Sequence, residues 1–309
     1  MVLRKLFERV FLRSSGAAAT SLKSKLRPFN RIDGETCRSM RGKPLTNVEN
    51  PGIRVSPNYV SEQEAAALVQ CALELKEKYG FRSSIAQDVL AITESSSSTA
   101  ESTTDLGYQI MAERVTGRPE LPHQKHAPWG YGDKFRRNLV PDVLLALADR
   151  IALDGDYALH DNGHQLRDIT INYRDKSMFK LDPHCDPAED GNNIFIVGLL
   201  SDVVLTFTPP SDIDGSNTAS SSSASASMSV RTAPAAIALR SWTDADIDVC
   251  SRQHWLVHFS GAARHPWRHA IRTGVDVGEP YNGICDWWGD LNSLIRRQPQ
   301  RISLIFAFA

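Results

Sequence analysis

His184 and Asp186, separated by one residue, and His269 further along are the residue types and the order of a mononuclear iron site. Two imidazoles and a carboxylate can occupy one face of an octahedral Fe(II). The opposite face stays open for a chelating co-substrate and O2. Side chains alternate along a strand, so His184 and Asp186 point the same way and can grip one ion. Pro183 keeps the residue before it extended. His-x-Asp is a short pattern that also recurs by chance, and read alone it fits a surface histidine beside an acid equally well. The second imidazole must come from His254, His258, His265 or His269. His269 follows the Gly261 turn, opens a new β run, and has Trp267 two residues earlier on the same face to shield an ion. His258 lies mid-strand beside Phe259 and reads as a packed core histidine. His265 precedes Pro266 and faces solvent.

Iron in such a site needs a chelating electron donor. A 2-oxo acid chelates through its keto and carboxylate oxygens, and its far carboxylate then needs a cation. Arginine suits it, because the planar fork binds a carboxylate bidentately and stays charged. Arg301 and Ser303, two apart on one face of a β run, offer a guanidinium and a hydroxyl together. Without the triad, Arg301 would read as one of a basic surface run with Arg296 and Arg297. A zinc hydrolase would use similar ligands but gives Arg301 no task.

The elements that must position these groups are readable. Ser61-x-x-Glu64 is a capping box opening a helix with Leu68, Ala72, Leu75 and Tyr79 on one face, ended by Gly80. Pro141 suits the first turn of a second helix that carries Leu144, Leu147 and Ile151 inward. The period then changes to two: Ile169, Ile171 and Tyr173 alternate with Thr170 and Asn172. Residues 193–207 hold two β-branched runs about a Ser201-Asp202 turn, and 255–259 and 301–308 read as further strands. Helices followed by many short strands predict an α+β chain. Its core would be an antiparallel jelly-roll or cupin-like barrel with supporting N-terminal helices.

With these segments in order, the chain resembles the AlkB-like Fe(II)/2-oxoglutarate dioxygenases. The resemblance is carried by Asn172-Tyr173, by Leu181-Asp-Pro-His184-Cys-Asp186, by Gly198-Leu-Leu-Ser-Asp202, by Ser260 through Trp267-Arg-His269-Ala-Ile271, and by Arg301 through Phe306. Ile53 through Glu64 is similar to the family's opening strand and helix. The likeness runs from about 53 to 308 and is closest to the eukaryotic fourth and seventh homologue branches. It implies a double-stranded β-helix, with His184, Asp186 and His269 as iron ligands. It also implies Arg301 on the distal carboxylate of 2-oxoglutarate, with Tyr173, in the Asn172-Tyr173 segment, near that acid. The cofactors would be Fe(2+), 2-oxoglutarate and O2, and the reaction oxidative hydroxylation, which on an N-methyl group releases formaldehyde. The chain departs from the family at Ala307, where a second arginine is usual, and at Ala188, where the bacterial prototype has an acid that reads a damaged base. Ala307 also prompts the alternative of a non-catalytic barrel that only binds.

Composition narrows the rest. Hydrophobic residues are 41% and charged residues 23%, enough apolar content for a packed core. No apolar run approaches the roughly 20 residues of a membrane span. Five scattered cysteines, odd in number and without a CxxC pair, argue against a disulfide framework and a structural zinc site. Residues 1–30 hold seven Lys/Arg and one acid, so the remainder of a chain with net charge −1 carries −7. Leu3, Leu6, Phe7, Val10 and Phe11 share one helical face of that basic, Ser/Ala-rich stretch, which predicts an organelle transit peptide, mitochondrial before plastid. Without import the protein would be cytoplasmic or nuclear. The dioxygenase domain is expected over 50–309, with disordered Ser-rich insertions near 93–106 and 211–230. An acidic body favours a protein or small-molecule substrate over a nucleic acid, whose binding leaves a basic footprint. A base-stacking pocket would have to draw on Trp129, Tyr131, Arg136 and Arg137.

Overall fold

The computed structural model describes residues 29–39, 48–81, 107–113, 123–157, 159, 165–210, 244–277 and 283–309. Both Ser-rich stretches lie outside the described residues, as does the basic leader apart from Phe29 and Asn30.

The order is β1 (Asn30–Ile32), α1 (Gly34–Ser39), β2 (Ile53–Ser56), α2 (Glu62–Lys78), β3 (Tyr108–Met111), β4 (Gln124–His126), α3 (Asp142–Leu153), β5 (Leu166–Arg174) and β6 (Leu181–His184). There follow β7 (Asn193–Leu199), β8 (Val203–Thr208), β9 (Ile247–Ser251), β10 (Leu256–Phe259), α4 (Gly261–Arg264) and β11 (Arg268–Ile271). The chain closes with β12 (Val275–Val277), β13 (Gly283–Trp288), β14 (Asp290–Arg296) and β15 (Arg301–Phe308).

Both long helices start where side-chain chemistry allows. Ser61 Oγ accepts from the Glu64 amide at 3.2 Å while Glu64 Oε2 accepts from the Ser61 amide at 2.9 Å, so two orphan donors of α2 are satisfied. Gly80, at φ +73°, follows Tyr79 and ends the helix. Pro141 occupies the N-cap position of α3, one residue before its expected place. Ala65, Leu68, Ala72 and Leu75 of α2 and Leu144, Leu147 and Ile151 of α3 form one core with Ile169, Ile171 and Tyr173 of β5. Each leucine and isoleucine among them contributes roughly 1.5–3 kcal/mol through burial.

The strands form a five-stranded sheet, β1-β9-β8-β11-β6, a seven-stranded sheet, β2-β10-β7-β15-β5-β3-β4, and a small sheet, β12-β13-β14. The helices cover one face of the seven-stranded sheet. Its other face meets the five-stranded sheet through a second core that joins Ile53, Ile194 and Val257 to Val203, Phe207 and Ile247. β7 and β8 do not pair with each other. The Ser201-Asp202 turn instead carries the chain from one sheet to the other.

Phe29, 8% exposed, and Ile32, fully buried, belong to this body, since β1 pairs in parallel with β9 at the sheet edge. The folded unit therefore begins before the expected boundary at 50. All five cysteines are free thiols. Among the described residues no helix is long and apolar enough to cross a membrane.

Candidate metal centre

Antiparallel pairing builds the centre. β11 and β6 run side by side with His269 directly opposite His184, and their ring centroids lie 4.3 Å apart. Asp186 follows the end of β6. His184 Nε2 is 3.6 Å from Asp186 Oδ1, and His269 Nε2 is 3.9 Å from Asp186 Oδ2, so each carboxylate oxygen faces one imidazole. The three groups can hold a metal ion, with one ligand atom from each lying within 4.8 Å of the others. Two ligands at right angles and roughly 2.1 Å from one ion lie roughly 3 Å apart, somewhat closer than the 3.6 and 3.9 Å between carboxylate and imidazoles here.

His184 Nδ1 lies 2.8 Å from the Asp182 carbonyl oxygen. A carbonyl only accepts, so Nδ1 carries a proton and Nε2 is the nitrogen turned toward Asp186. Burial holds the His269 pKa down to about 4 against the pull of Asp186, so this imidazole is neutral at pH 7. Burial alone would raise the Asp186 carboxyl, but His184, His269 and Arg264 outweigh it and take it down to about 2. Burial would likewise lower His184, yet its contacts to Asp186 and Asp182 leave its pKa raised.

Phe259 and Phe207 pack against the His269 ring, at 5.1 and 6.0 Å between centroids. The shield expected from Trp267 comes from these two instead, because β11 lies beside β8, which puts Phe207 directly across from His269. Trp267 is half-buried against the second core. His258 is a packed core histidine: it is 3% exposed, stacks on Phe195 at 4.3 Å, and is held neutral by burial, with its pKa near 3. His265 is exposed.

A cavity of about 350 Å³ opens at the triad. One wall is the inner face of β5 and β15, whose register sets Arg174 against Arg301, Asn172 against Ser303, Thr170 against Ile305 and Asp168 against Ala307. The wall is thus cationic at one end and acidic at the other. Along β15 the six steps from Arg301 to Ala307 span roughly 20 Å. The triad is on the opposite wall, beside Leu205 and Ile271.

Arg301 is 2% exposed. Its Nη1 donates to the Ser201 carbonyl and its Nη2 to Ser251 Oγ at 3.5 Å, while its Nε is buried without a hydrogen-bond partner among the described residues. Its guanidinium lies over Gly198, where a Cβ would come within 2.9–3.3 Å of it. Burial lowers its pKa to about 10, so it stays charged at neutral pH.

The expectation that Tyr173 lies near the co-substrate is corrected. It points to the helix side of β5, and its hydroxyl donates to the Ala72 carbonyl at 2.6 Å. Strand alternation forces this, since its neighbours Asn172 and Arg174 face the cavity. The pieces of a stacking pocket are engaged elsewhere. Trp129 is fully buried and donates to the Ile169 carbonyl, Tyr131 donates to Asp190, Arg136 to the Pro128 carbonyl, and Arg137 pairs with Asp149.

Sequence reasoning passed over Arg264. It is 4% exposed, and among the described residues its guanidinium donates to three backbone carbonyls of the loop that follows His184.

No protein-family model matches the chain, and no curated protein matches it either. Among solved structures it is similar to a 2OG-Fe(II) oxygenase-family oxidoreductase from Burkholderia pseudomallei, at 15% identity and TM-score 0.31, covering 65% of each chain. It is also similar to the α-ketoglutarate-dependent epimerase SnoN of nogalamycin biosynthesis, at 13% identity and TM-score 0.41, over 84% of this chain and 78% of that one. A third likeness is to OsALKBH1, at 12% identity and TM-score 0.37, over 84% of this chain and 97% of that one. At such identities and TM-scores these likenesses carry none of the functional argument.

Proposed function

We propose that the protein is an Fe(II)/2-oxoglutarate-dependent dioxygenase of AlkB-like type, its two-sheet core a double-stranded β-helix. It would hydroxylate or oxidatively demethylate a protein or other macromolecule. The observation that carries this is the gathering of one ligand atom each from His184, Asp186 and His269 within 4.8 Å of one another, in the lining of a cavity that Arg301 also lines.

The residues fit the group they would hold. Two imidazole nitrogens and a carboxylate form a facial donor set suited to Fe(II). The buried, unpartnered Nε of Arg301 suits a carboxylate. When bound, iron supplies the oxidation in which O2 and 2-oxoglutarate become succinate and CO2 and one oxygen atom enters a substrate C–H bond.

The protein's own part is binding, orientation and dryness. The Asp182 carbonyl holds His184 Nδ1, so Nε2 is the nitrogen aimed at the metal position. Arg301 and Ser303 anchor the distal carboxylate of the 2-oxo acid, with Asn172 beside Ser303 on the same wall. Phe207, Phe259 and Leu205 exclude water around His269.

A protein substrate is favoured over a nucleic acid by the −7 charge outside residues 1–30 and by the engagement of Trp129, Arg136 and Arg137 elsewhere. The basic leader would deliver the protein to mitochondria. A fluorescent fusion with and without residues 1–28 tests that by its location.

The decisive assay uses anaerobically purified protein given Fe(II), 2-oxoglutarate and O2, with methylated protein, DNA and RNA pools in parallel. Succinate formation that His184→Ala abolishes is expected, with formaldehyde released from the protein pool. Formaldehyde from the nucleic-acid pools alone would make it a nucleobase demethylase. No succinate at saturating co-substrate would leave only a binding barrel.

A further inference from the structure

His184 and His269 are locked opposite each other by strand pairing, whereas Asp186 lies beyond the end of β6 and has no ladder to hold it. We propose that Arg264 is the positioning residue that sets the third ligand, by clamping the 186–191 loop against the helix leading into β11. This rests on the metal-centre reading above and adds to it a residue that touches neither metal nor substrate.

One guanidinium reaches three points of this loop. Nη1 donates to the Asp186 carbonyl at 2.9 Å, Nε to the Gly191 carbonyl at 3.0 Å, and Nη2 to the Pro187 carbonyl. The planar fork gathers three carbonyls of one loop, and the Pro187 carbonyl also accepts from the Asp190 amide at 3.1 Å. The base of the clamp is itself fixed. In α4 the Ala263 amide donates to the Pro51 carbonyl at 2.8 Å, and at its start the Ser260 amide donates to Gly52 at 3.0 Å. The far end of the loop cannot retreat, because Gly191, at φ +95°, is packed so that a Cβ would lie 2.3 Å from the Phe308 carbonyl oxygen. The same cation lies close enough to Asp186 to help keep its carboxylate ionised. Asp186 is therefore held through its own backbone carbonyl, by a residue five positions before His269.

The test is cobalt(II) binding to metal-free protein, read as affinity and as the visible absorption of the bound ion. Guanidinium salt at millimolar concentration is then added back. Arg264→Ala is expected to bind cobalt(II) 10- to 100-fold more weakly, the usual loss when a partner that orients a ligand is removed. Its absorption should be altered, and added guanidinium should recover part of the affinity. Should Arg264→Ala fail to fold, Arg264→Lys decides: it keeps the charge but reaches fewer carbonyls, and weaker binding with an altered spectrum is expected. Affinity within twofold of the unaltered protein and an unchanged spectrum, in whichever variant folds, would overturn the clamp. If the unaltered protein takes up no cobalt(II), the metal centre itself falls, a different outcome from a centre that forms without Arg264.

Discussion

Two regions of the C-terminal half bury arginine in opposite ways. Against the small sheet β12-β13-β14, Arg272 meets Asp248 at 2.6 Å and Arg297 meets Asp286 at 2.5 Å. Arg272 also stacks on Trp287 at 4.0 Å and Arg297 on Phe179 at 4.4 Å. In the cavity wall, Arg301 is equally buried yet forms no ion pair among the described residues, and its guanidinium donates only to the Ser201 carbonyl and Ser251 Oγ there. Burying a cation without a counter-charge is costly, and a fold keeps one where a ligand supplies the missing anion. The first two arginines hold a sheet in place, and under the proposed function the third would receive the carboxylate of a 2-oxo acid.

The largest effect that would break this contrast is on stability. Arg297→Met strands Asp286 as a buried carboxylate that otherwise receives Arg297 and the Val204 amide. A loss of roughly 3–5 kcal/mol is expected, as for other buried pairs cut on one side. Denaturant unfolding measures it, and co-substrate affinity of the folded fraction should stay unchanged. Stability within about 1 kcal/mol of the unaltered protein would remove the distinction between the regions.

The converse is Arg301→Met. Removing an unpaired buried cation relieves its desolvation, so stability should move by less than about 1 kcal/mol in either direction. Affinity for 2-oxoglutarate should fall by roughly 2–4 kcal/mol, or about 30- to 1,000-fold, the cost of deleting one partner of a desolvated charge pair. Calorimetric titration in the presence of a redox-inert divalent ion reads both halves. A large loss of stability with unchanged affinity would make Arg301 structural, like its neighbours.

Ligand linkage sharpens the comparison. At a co-substrate concentration a hundredfold above its Kd, the metal-loaded protein should gain about 2.7 kcal/mol of stability. At the same concentration the gain should fall below about 1 kcal/mol in Arg301→Met and survive in Arg272→Lys, which keeps its charge beside Asp248. A thermal shift series checks this, and an equal gain in all three proteins would sink the assignment of Arg301.

The same contrast shows what a sequence can and cannot tell. Local rules located α2 by its capping box, and the alternation in 169–173 located β5. The spacing of His184, Asp186 and His269 pointed to three side chains that do converge. Properties fixed by pairing between distant strands were not legible. Alternation shows that Tyr173 and Asn172 face opposite ways, but not which of them faces the cavity. Here the apolar face of β5 serves the helices, so the polar alternates line the interior. Trp267 was near in sequence, yet Phe207 reached His269 across the β8–β11 ladder. Arg264, Arg272 and Arg297 read as ordinary basic residues, because nothing local distinguishes a guanidinium that will find carbonyls and carboxylates far along the chain from one in water.

The finest test concerns the hydroxyl beside Arg301. Ser303 lies two residues along β15, opposite Asn172 in the ladder, and both line the cavity. If the far carboxylate of a 2-oxo acid rests on Arg301, one of its oxygens is within reach of a side chain on the next cavity-facing position. A hydrogen bond to a charged acceptor contributes about 1.5–3 kcal/mol where it is made well, and less where a neighbouring amide can replace it. Asn172 is placed to do so. Ser303→Ala should therefore weaken 2-oxoglutarate by only about 1 kcal/mol, roughly fivefold, with no change in metal affinity. Asn172→Ala alone should do less, and the double variant should exceed the sum, because each residue covers for the other. Strict additivity in that cycle would separate Ser303 from the carboxylate and leave Arg301 to bind it alone.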